Sequence, residues 1–277
     1  MDQLRDRVAV VTGGAGGIGM ALARAFAARG ARLVLADLDE EALAGAEKEL
    51  SGSGAEVLAV QTDVTRRESV ALLGDMALRR FGAIHVVCNN AGVAVGGRLL
   101  DATPEDWEFT MSVNFWGVVH GVATFCPILI EQNQGGHVVN TASMAGLVGM
   151  QGLGIYCASK FAVVGLSESL RRELRPHDIG VSVLCPMIVQ TGINQNSVRM
   201  RPQHLRSHPE PPPAQDVQMV GGVIPAESVA ERVVQAIDGN ALYILTHPEQ
   251  REILRRRAER LDAVFEDGSA HFPLARE

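Results

Sequence analysis

Short apolar runs alternate with longer helical patterns along this chain, and this alternation constrains its fold more than any other feature. The apolar runs predict strands at Val8–Val11, Leu33–Ala36, Val57–Gln61, His85–Cys88, His137–Thr141, Val181–Leu184 and Leu242–Leu245. The intervening segments predict helices at Ile18–Arg29, Glu40–Leu50, Arg66–Arg80, Pro104 to about Glu131, Tyr156–Leu174, Ala226–Ile237 and Glu249–Phe265. Strands without polar alternation are typical of parallel sheets covered by helices on both faces. We therefore predict an α/β fold, a three-layer doubly wound parallel sheet of about seven strands flanked by helices.

Size and composition fit one domain built on such a sheet. Of the 277 residues, 47% are hydrophobic but only 4% are aromatic, so Ala, Val, Leu and Ile must form most of the core. The pattern shows no linker and no internal repeat, and we predict a single domain over residues 1–277. The formal net charge of −7 is unlike a basic nucleic-acid-binding surface, so we expect no nucleic-acid partner.

Cysteine spacing and apolar segments bear on metal binding and location. The four cysteines are far apart and form no C-x-x-C pair, which favours free thiols in a reducing compartment and no metal site. The segment Met1–Arg7 is charged and has no apolar stretch, so we expect that it is not a secretory signal. The run Phe115–Ile130 is too short for a membrane span and is interrupted by polar and helix-breaking residues. We expect a cytoplasmic protein that does not enter a membrane.

A glycine-rich turn, Thr12-Gly13-Gly14-Ala15-Gly16-Gly17-Ile18-Gly19, joins the first predicted strand to the first helix. Glycines let the backbone approach a diphosphate closely, and the helix start offers unpaired N–H groups and the positive end of its dipole. The position between strand and helix predicts dinucleotide binding, although the Gly-x-x-x-Gly-x-Gly spacing differs from the commoner G-x-G-x-x-G pattern. A purely structural turn is the alternative.

Acidic and amide side chains follow the next three strands. Asp37, at the end of the second strand, can accept hydrogen bonds from ribose hydroxyls and would repel a 2′-phosphate, and Leu38 after it offers no cation. This favours NAD over NADP, the alternative being that Asp37 or Asp39 only caps the next helix. Asp63-Val64 and Asn90-Ala91-Gly92 follow the third and fourth strands, at the edge where open α/β sheets bind ligands, although either could be an ordinary turn.

Four polar residues between Asn114 and Lys160 are candidates for chemistry. Tyr156 and Lys160 are four residues apart on a predicted helix and therefore share a face. An ammonium near a phenol favours the phenolate and would lower its pKa. Ser143, just past the fifth strand, can bond a substrate oxygen, and Asn114 could hold a water that links Lys160 to solvent. Each has a structural alternative: an ordinary amphipathic face, a serine satisfying a strand end, or a buried amide bonded to a neighbouring turn.

In their order from Val8 to Thr191, these motifs resemble those of the short-chain dehydrogenase/reductase family in its compact, Rossmann-type form. The resemblance implies that Tyr156 is the catalytic acid/base, Lys160 lowers its pKa and anchors a ribose, Ser143 orients the substrate oxygen, and Asn114 supports a proton relay. It places Gly13, Gly17 and Ile18 at the cofactor diphosphate, Asp37 at the adenosine ribose, Asp63 and Val64 at the adenine, Asn90 on the ribose side, and Val189 and Thr191 at the carboxamide. Gly19, Leu38, Ala91, Gly92, Pro186, Tyr156 and Lys160 complete the predicted cofactor contacts.

The substrate side is less regular. Met187 stands where the family usually has glycine after proline, and it adds a flexible apolar side chain. The segment at about Gly192–Gly222, rich in Arg, His and Pro, predicts a substrate lid, partly disordered without ligand; a disordered segment is the alternative. Motif offsets place mostly apolar side chains toward the substrate: Met144, Val148, Met150, Gln151, Leu153 and Met187.

We therefore expect an NAD(H)-dependent oxidoreductase that interconverts a secondary alcohol and a ketone, on a hydrophobic substrate such as a steroid, terpenoid or fatty-acyl derivative. The basic residues of the lid could instead bind a phosphate or coenzyme A group, so a substrate that carries such a group is an alternative. An epimerase or lyase on the same scaffold and a non-catalytic NAD-sensing protein are the alternatives, and the intact Ser143, Tyr156 and Lys160 argue against the sensor. The resemblance also implies self-association, as a tetramer or else a dimer, through the helices after Pro104 and Tyr156.

Overall fold

The computed structural model describes residues 4–205 and 221–266, and its centre is one parallel sheet. The strands are β1 (Val8–Thr12), β2 (Arg32–Asp37), β3 (Val57–Gln61), β4 (Val86–Asn89), β5 (Gly136–Thr141), β6 (Ile179–Cys185) and β7 (Tyr243–Leu245). They pair in the order β3-β2-β1-β4-β5-β6-β7, all parallel, so the winding direction reverses between β1 and β4. The predicted doubly wound sheet of seven strands is confirmed.

Helices cover both faces of this sheet. They are α1 (Gly17–Ala27), α2 (Glu40–Gly52), α3 (Arg67–Phe81), α4 (Pro104–Met111), α5 (Gly117–Gln132), α6 (Gly154–Leu174), α7 (Ile193–Arg199), α8 (Ala226–Asp238) and α9 (Arg251–Glu266). One core packs α1, α2 and α8 against the sheet through residues such as Phe26, Leu43 and Val233. The second core packs α3, α5 and α6 against the other face through Leu73 and Phe125 among others. Ala, Val, Leu and Ile dominate both cores, as the composition predicts.

The predicted long helix from Pro104 to about Glu131 is found as one helical path, Pro104–Gln132, but it contains a π-helical turn that was not predicted. A capping box formed by Thr103 and Asp106 starts α4, but a π-helical turn over Ser112–Trp116 separates α4 from α5. Such turns insert one residue into a helix and often occur at functional sites. Here the turn carries Asn114, which is fully buried and makes side-chain hydrogen bonds away from its own helix.

The helical path Pro104–Gln132 is 29 residues long, longer than the apolar run noted in the sequence, and its length and composition would allow it to cross a membrane. In the structure, this path packs on the sheet through α5, and Phe125 and Leu129 are fully buried in the core that α5 shares with α3 and α6. Helices at the centre of an α/β domain commonly have this composition.

Two helical glycines provide a test of how closely α5 approaches the sheet. A Cβ at Gly121 would lie 1.9 Å from Asn89 Oδ1 at the end of β4, whereas a Cβ at Gly165 in α6 would meet no atom within 4 Å. We expect Gly121→Ala to lower the free energy of unfolding by about 1–3 kcal/mol through overpacking. Gly165→Ala should raise it by up to about 1 kcal/mol through helix propensity. Urea unfolding of both variants measures the difference, and equal effects would show that α5 is not packed as described.

Candidate active site

A cleft of about 1330 Å³ follows the carboxyl ends of the parallel strands. This edge is where open α/β sheets bind ligands, because the loops that leave the strands converge there. Most predicted cofactor residues line the cleft: Gly13, Gly17, Ile18, Asp37, Leu38, Asp63, Val64, Asn90, Ala91, Gly92, Tyr156, Lys160, Pro186, Val189 and Thr191. The structure thus brings together residues from all parts of the chain between β1 and α7.

The glycine turn forms a cradle at one side of this cleft. Gly13 and Gly17 have φ values of +63° and +50°, and a Cβ at Gly17 would lie 3.2 Å from the Thr191 side chain. Gly16 caps α1 without a side-chain hydrogen bond, which leaves the helix start open toward the cleft. Because a negatively charged group binds well to such a helix start, the turn fits the diphosphate of a dinucleotide.

Gly19 has a different role from the predicted one. It is buried and does not line the cleft, and a Cβ there would lie 1.9 Å from the carbonyl oxygen of Gly13 and 2.8 Å from Asn90 Nδ2. Glycine at this position lets α1 pack closely against the turn. Its contribution to the cofactor site is therefore indirect.

Asp37 joins the end of β2 to the glycine turn. One carboxylate oxygen accepts a hydrogen bond from Ala15 N at 3.1 Å, and the other accepts one from Asp39 N at 3.2 Å. Asp39 is the residue that caps α2, through Ala42 N at 3.1 Å. The carboxylate of Asp37 is thus oriented by two backbone amides and lines the cleft, as an acceptor for ribose hydroxyls would.

Thr12 organises the loop after β4, a role that the sequence analysis missed. Its hydroxyl accepts hydrogen bonds from Asn90 N at 2.9 Å and Ala91 N at 3.1 Å, and it donates to Cys88 O at 3.3 Å. The Asn90 side chain donates to Thr12 O at 3.1 Å and accepts from Thr141 Oγ1 at 3.2 Å. These bonds tie together the ends of β1, β4 and β5. A threonine before a glycine turn is a weak signal for such a role in a sequence.

Tyr156, Lys160 and Ser143 meet where α6 crosses the end of β5. Lys160 Nζ lies 5.7 Å from the Tyr156 ring centroid and donates to Thr141 O at 2.9 Å. Ser143 Oγ accepts from Ala145 N at 3.1 Å and donates to Pro186 O at 3.3 Å. All three side chains line the cleft, so a phenol, a hydroxyl and an ammonium are available to one ligand.

Burial controls the acid–base properties of this group. It lowers the pKa of Lys160 to about 8. It also raises the pKa of Tyr156, and a hydrogen bond with Ser143 opposes that rise only in part. The expectation that Lys160 lowers the pKa of Tyr156 does not describe the net shift here, because the ammonium bonds Thr141 O and desolvation dominates. Within residues 4–205 and 221–266, no three His, Cys, Asp or Glu side chains group to hold a metal ion.

Asn114 does not line the cleft. Its Oδ1 accepts from Val93 N at 2.8 Å, and its Nδ2 donates to Val93 O at 2.9 Å and to Ser159 Oγ at 3.1 Å. These bonds fix the Val93 backbone and the helix that carries Lys160, and the proton-relay role of Asn114 stays a prediction. A Cβ at Gly92 would lie 3.3 Å from Asn114 Oδ1 and 3.5 Å from Lys160 Nζ, which shows how tightly these groups surround the loop.

The predicted lid begins as regular structure. It contains α7 and a 3₁₀ turn at Gln203–Leu205, and residues 206–220, on which the expected partial disorder falls, lie outside the described residues. Ser197 Oγ accepts from Ala94 N at 2.8 Å. Arg201 pairs with Asp106 of α4 at 2.6 Å, with side chains only 11% and 4% exposed. These contacts hold α7 across the cleft. They connect residues that are about a hundred positions apart, so no local pattern predicts them.

Apolar side chains line a large part of the cleft. Met150, Leu153 and Met187 line it as predicted, but Met144, Val148 and Gln151 do not. Met144 is only 2% exposed, because the backbone turns inward into a 3₁₀ helix capped by Ser143. Further lining residues come from the loop after β4, from α4 with the π turn, from the segment after β6, and from the lid: Val93, Ala94, Val95, Phe109, Val113, Ile188 and Leu205.

Comparisons with known proteins agree with this geometry. The model of the short chain dehydrogenase family matches residues 7–202. The CLA biosynthesis dehydrogenase/reductase of Lactiplantibacillus plantarum is 36% identical over 273 residues, 94% of this chain and 95% of that protein. The 1-deoxy-11-beta-hydroxypentalenate dehydrogenase of Streptomyces avermitilis is 37% identical over 277 residues, 99% of this chain and 93% of that protein. The crystal structure of a short-chain dehydrogenase/reductase from Burkholderia phymatum in complex with NAD is 42% identical, with a TM-score of 0.90 over 95% of this chain and 96% of that chain.

The buried ammonium gives a pH signature that needs no substrate. The sequence has only two lysines, Lys48 and Lys160. The pKa of Lys160 is about 8 in the folded state, against 10.5 for an unshifted lysine in the unfolded chain. Between these pH values the unfolded chain binds more protons than the folded protein, so the free energy of unfolding rises with pH. We expect the unfolding free energy of wild type to rise relative to that of Lys160→Met by about 2 kcal/mol from pH 8 to pH 10.

The buried cysteines titrate in the opposite sense, but they are common to both proteins. Cys88, Cys126 and Cys157 cancel in this difference, and Cys185, whose pKa Lys160 lowers, keeps a pKa raised by burial above the range measured. Lys48→Met is the matched control, and its difference from wild type should stay level over the same range. Denaturant unfolding at several pH values measures both. A pH-independent difference for Lys160→Met would show that the ammonium is not desolvated in the fold.

Proposed function

Because the chain belongs to the short-chain dehydrogenase family, we propose that it transfers a hydride between NAD(H) and a secondary alcohol or ketone, with Tyr156 as the general acid/base. The observation that supports this most directly is the convergence of Tyr156, Ser143 and Lys160 on the cleft that also holds the glycine turn. A proton-transfer group and a dinucleotide cradle in one cleft are what alcohol oxidation requires, since the hydride and the proton must leave neighbouring atoms.

The residues present fit the dinucleotide and divide the remaining work. Bound NAD supplies the hydride acceptor for alcohol oxidation. Ser143 Oγ holds the substrate oxygen, and Tyr156 takes the hydroxyl proton as the carbonyl forms, or returns it in the reduction. Lys160, in its protonated form, stabilises the phenolate and offers donors to the nicotinamide ribose. Asn114 keeps the Val93 backbone and α6 in register for these contacts.

The charge of the adenosine end supports NAD over NADP. Asp37 lines the cleft with both oxygens oriented by backbone amides, and a 2′-phosphate there would meet a carboxylate. The solved structure from Burkholderia phymatum described above contains NAD. We assign the same cofactor to this chain.

The lining of the substrate end supports a hydrophobic alcohol or ketone. Phe109, Met150, Leu153, Met187 and Leu205 line the same cleft as Ser143 and Tyr156. Arg201 lines the same cleft but is paired with Asp106, which makes it a poor anchor for a phosphate or carboxylate. We therefore favour a neutral, apolar substrate over a coenzyme A thioester.

Location and assembly remain predictions of the same proposal. We expect a cytoplasmic homotetramer, or else a dimer, formed through α4, α5 and α6. Trp107 and Trp116 on this path are 38% and 51% exposed, so they are available for a subunit contact.

A panel of hydrophobic secondary alcohols tests the reaction. We expect at least one to yield NADH with wild type. Tyr156→Phe should reduce turnover by at least about a hundredfold, because the proton acceptor is lost, while NAD affinity stays within about twofold. Absorbance at the NADH band measures turnover, and calorimetry measures NAD binding. Substantial oxidation by Tyr156→Phe, or conversion of substrate by wild type without net NADH, would contradict the proposal; the second result would favour an epimerase or lyase.

Replacement of Asp37 tests the cofactor assignment. Asp37→Ala removes the ribose acceptor and the repulsion of a 2′-phosphate, so it should weaken NAD and strengthen NADP. We expect the ratio of kcat/KM for the two cofactors to shift toward NADP by at least about tenfold. Asp63→Ala, at the end of β3 in the same cleft, is the control and should leave the ratio nearly unchanged. An unaltered ratio in Asp37→Ala would show that its role is structural.

A further inference from the structure

Helix α7 carries an arginine to the adenosine end of the cleft. Arg199 Nη2 lies 2.6 Å from Asp39 Oδ2, in a pair whose side chains are 60% and 16% exposed. Both residues line the cleft and an adjoining recess whose other members include Leu38, Glu40 and Glu41. A cation from the lid therefore stands among carboxylates just after β2.

This ion pair is directly connected to the carboxylate that faces the ribose. Asp39 N donates to Asp37 Oδ1 at 3.2 Å, so the two aspartates share one short turn. The pKa of Asp39 is lowered, first by the backbone hydrogen bond from Ala42 and then by Arg199, so Asp39 is ionised at neutral pH. Its charge compensates that of the guanidinium beside the turn that holds Asp37, the proposed ribose acceptor.

The pair is not required to hold the lid in place. Ser197 bonds the loop after β4 at 2.8 Å, and the nearly buried Arg201–Asp106 pair fixes the segment after α7. An exposed pair such as Arg199–Asp39 adds little to stability by comparison. Its larger consequence is the local charge that a ligand meets.

We propose that Asp39 is a specificity-determining residue that neutralises the lid arginine Arg199 and thereby prevents it from attracting a 2′-phosphate beside Asp37. This inference rests on the proposed NAD-dependent function and adds a second determinant of cofactor choice. Without the Asp39 charge, Arg199 either contacts the phosphate or pairs with Asp37. Both arrangements reduce the negative charge that NADP encounters, and an arginine is the side chain best suited to a phosphate.

The experiment measures binding, so it does not depend on an identified substrate. Calorimetric titrations give the Kd of NAD⁺, NADP⁺ and 2′,5′-ADP for wild type, Asp39→Asn, Arg199→Gln and the double variant. Asparagine also caps helices well, so Asp39→Asn keeps α2 intact. We expect Asp39→Asn to lower the Kd of NADP⁺ and 2′,5′-ADP by about fivefold, the size of one exposed charge pair, and to change that of NAD⁺ by less than about twofold.

Two comparisons make the result specific to the pair. Glu41→Gln removes one charge from the same recess but leaves the Arg199–Asp39 pair intact, so it should change the Kd of NADP⁺ by less than about twofold. In the double variant Asp39→Asn with Arg199→Gln, the gain in affinity for NADP⁺ should disappear. Each variant is used only if its thermal unfolding midpoint matches that of wild type. If Asp39→Asn does not meet this condition, Asp39→Ser replaces it, because serine also caps helices well.

The possible results separate the inference from the proposed function. The role of the pair would be overturned if Asp39→Asn gained no affinity for NADP⁺, or gained it equally with and without Arg199. NAD⁺ binding to wild type would in either case still support the proposed function. If wild type bound neither dinucleotide, the proposed function itself would fail. A gain that requires Arg199 supports the inference.

Discussion

The ammonium of Lys160 is buried beneath the carboxyl edge of the sheet, and much of the site can be understood from the need to accommodate it. An isolated buried charge is strongly unfavourable, and the acceptor it finds is the carbonyl of Thr141, the last residue of β5. That carbonyl is available because a parallel strand ends there. The sheet edge thus supplies both a ligand for the ammonium and the converging loops that surround it, and desolvation brings the pKa of Lys160 to about 8.

The position of α6 over this edge depends on a second set of hydrogen bonds. Ser159, next to Lys160, receives a bond from Asn114, whose remaining amide bonds hold both backbone groups of Val93. Asn114 points inward because a π turn interrupts the helix between α4 and α5. The loop after β4, the long helical path and α6 therefore form one connected frame. Tyr156 and Ser143 are presented to the cleft by that frame.

Much of the fold and site follows from local sequence, and the rest depends on distant contacts. β3 is found at the predicted residues Val57–Gln61, because a continuous apolar run in the sequence is sufficient to predict a parallel strand covered on both faces. The glycine turn and Ser143 could be predicted because each follows a strand, and parallel strands end at one edge. Tyr156 and Lys160 could be predicted from their four-residue spacing on a helix and from the family resemblance. The Arg199–Asp39 pair could not be predicted, because it joins segments far apart in the chain. The π turn and the inward course of Met144 could not be predicted either, because neither is marked by a distinct sequence pattern.

The most direct test of hydride transfer at this site is to follow a label from substrate to cofactor. A secondary alcohol carrying deuterium on its carbinol carbon is incubated with the protein and NAD, and the products are analysed by NMR and mass spectrometry. We expect deuterium on the reduced nicotinamide and a ketone without it, since the hydride moves directly between bound partners. Deuterium in the solvent or retained in the converted product, without labelled NADH, would contradict it.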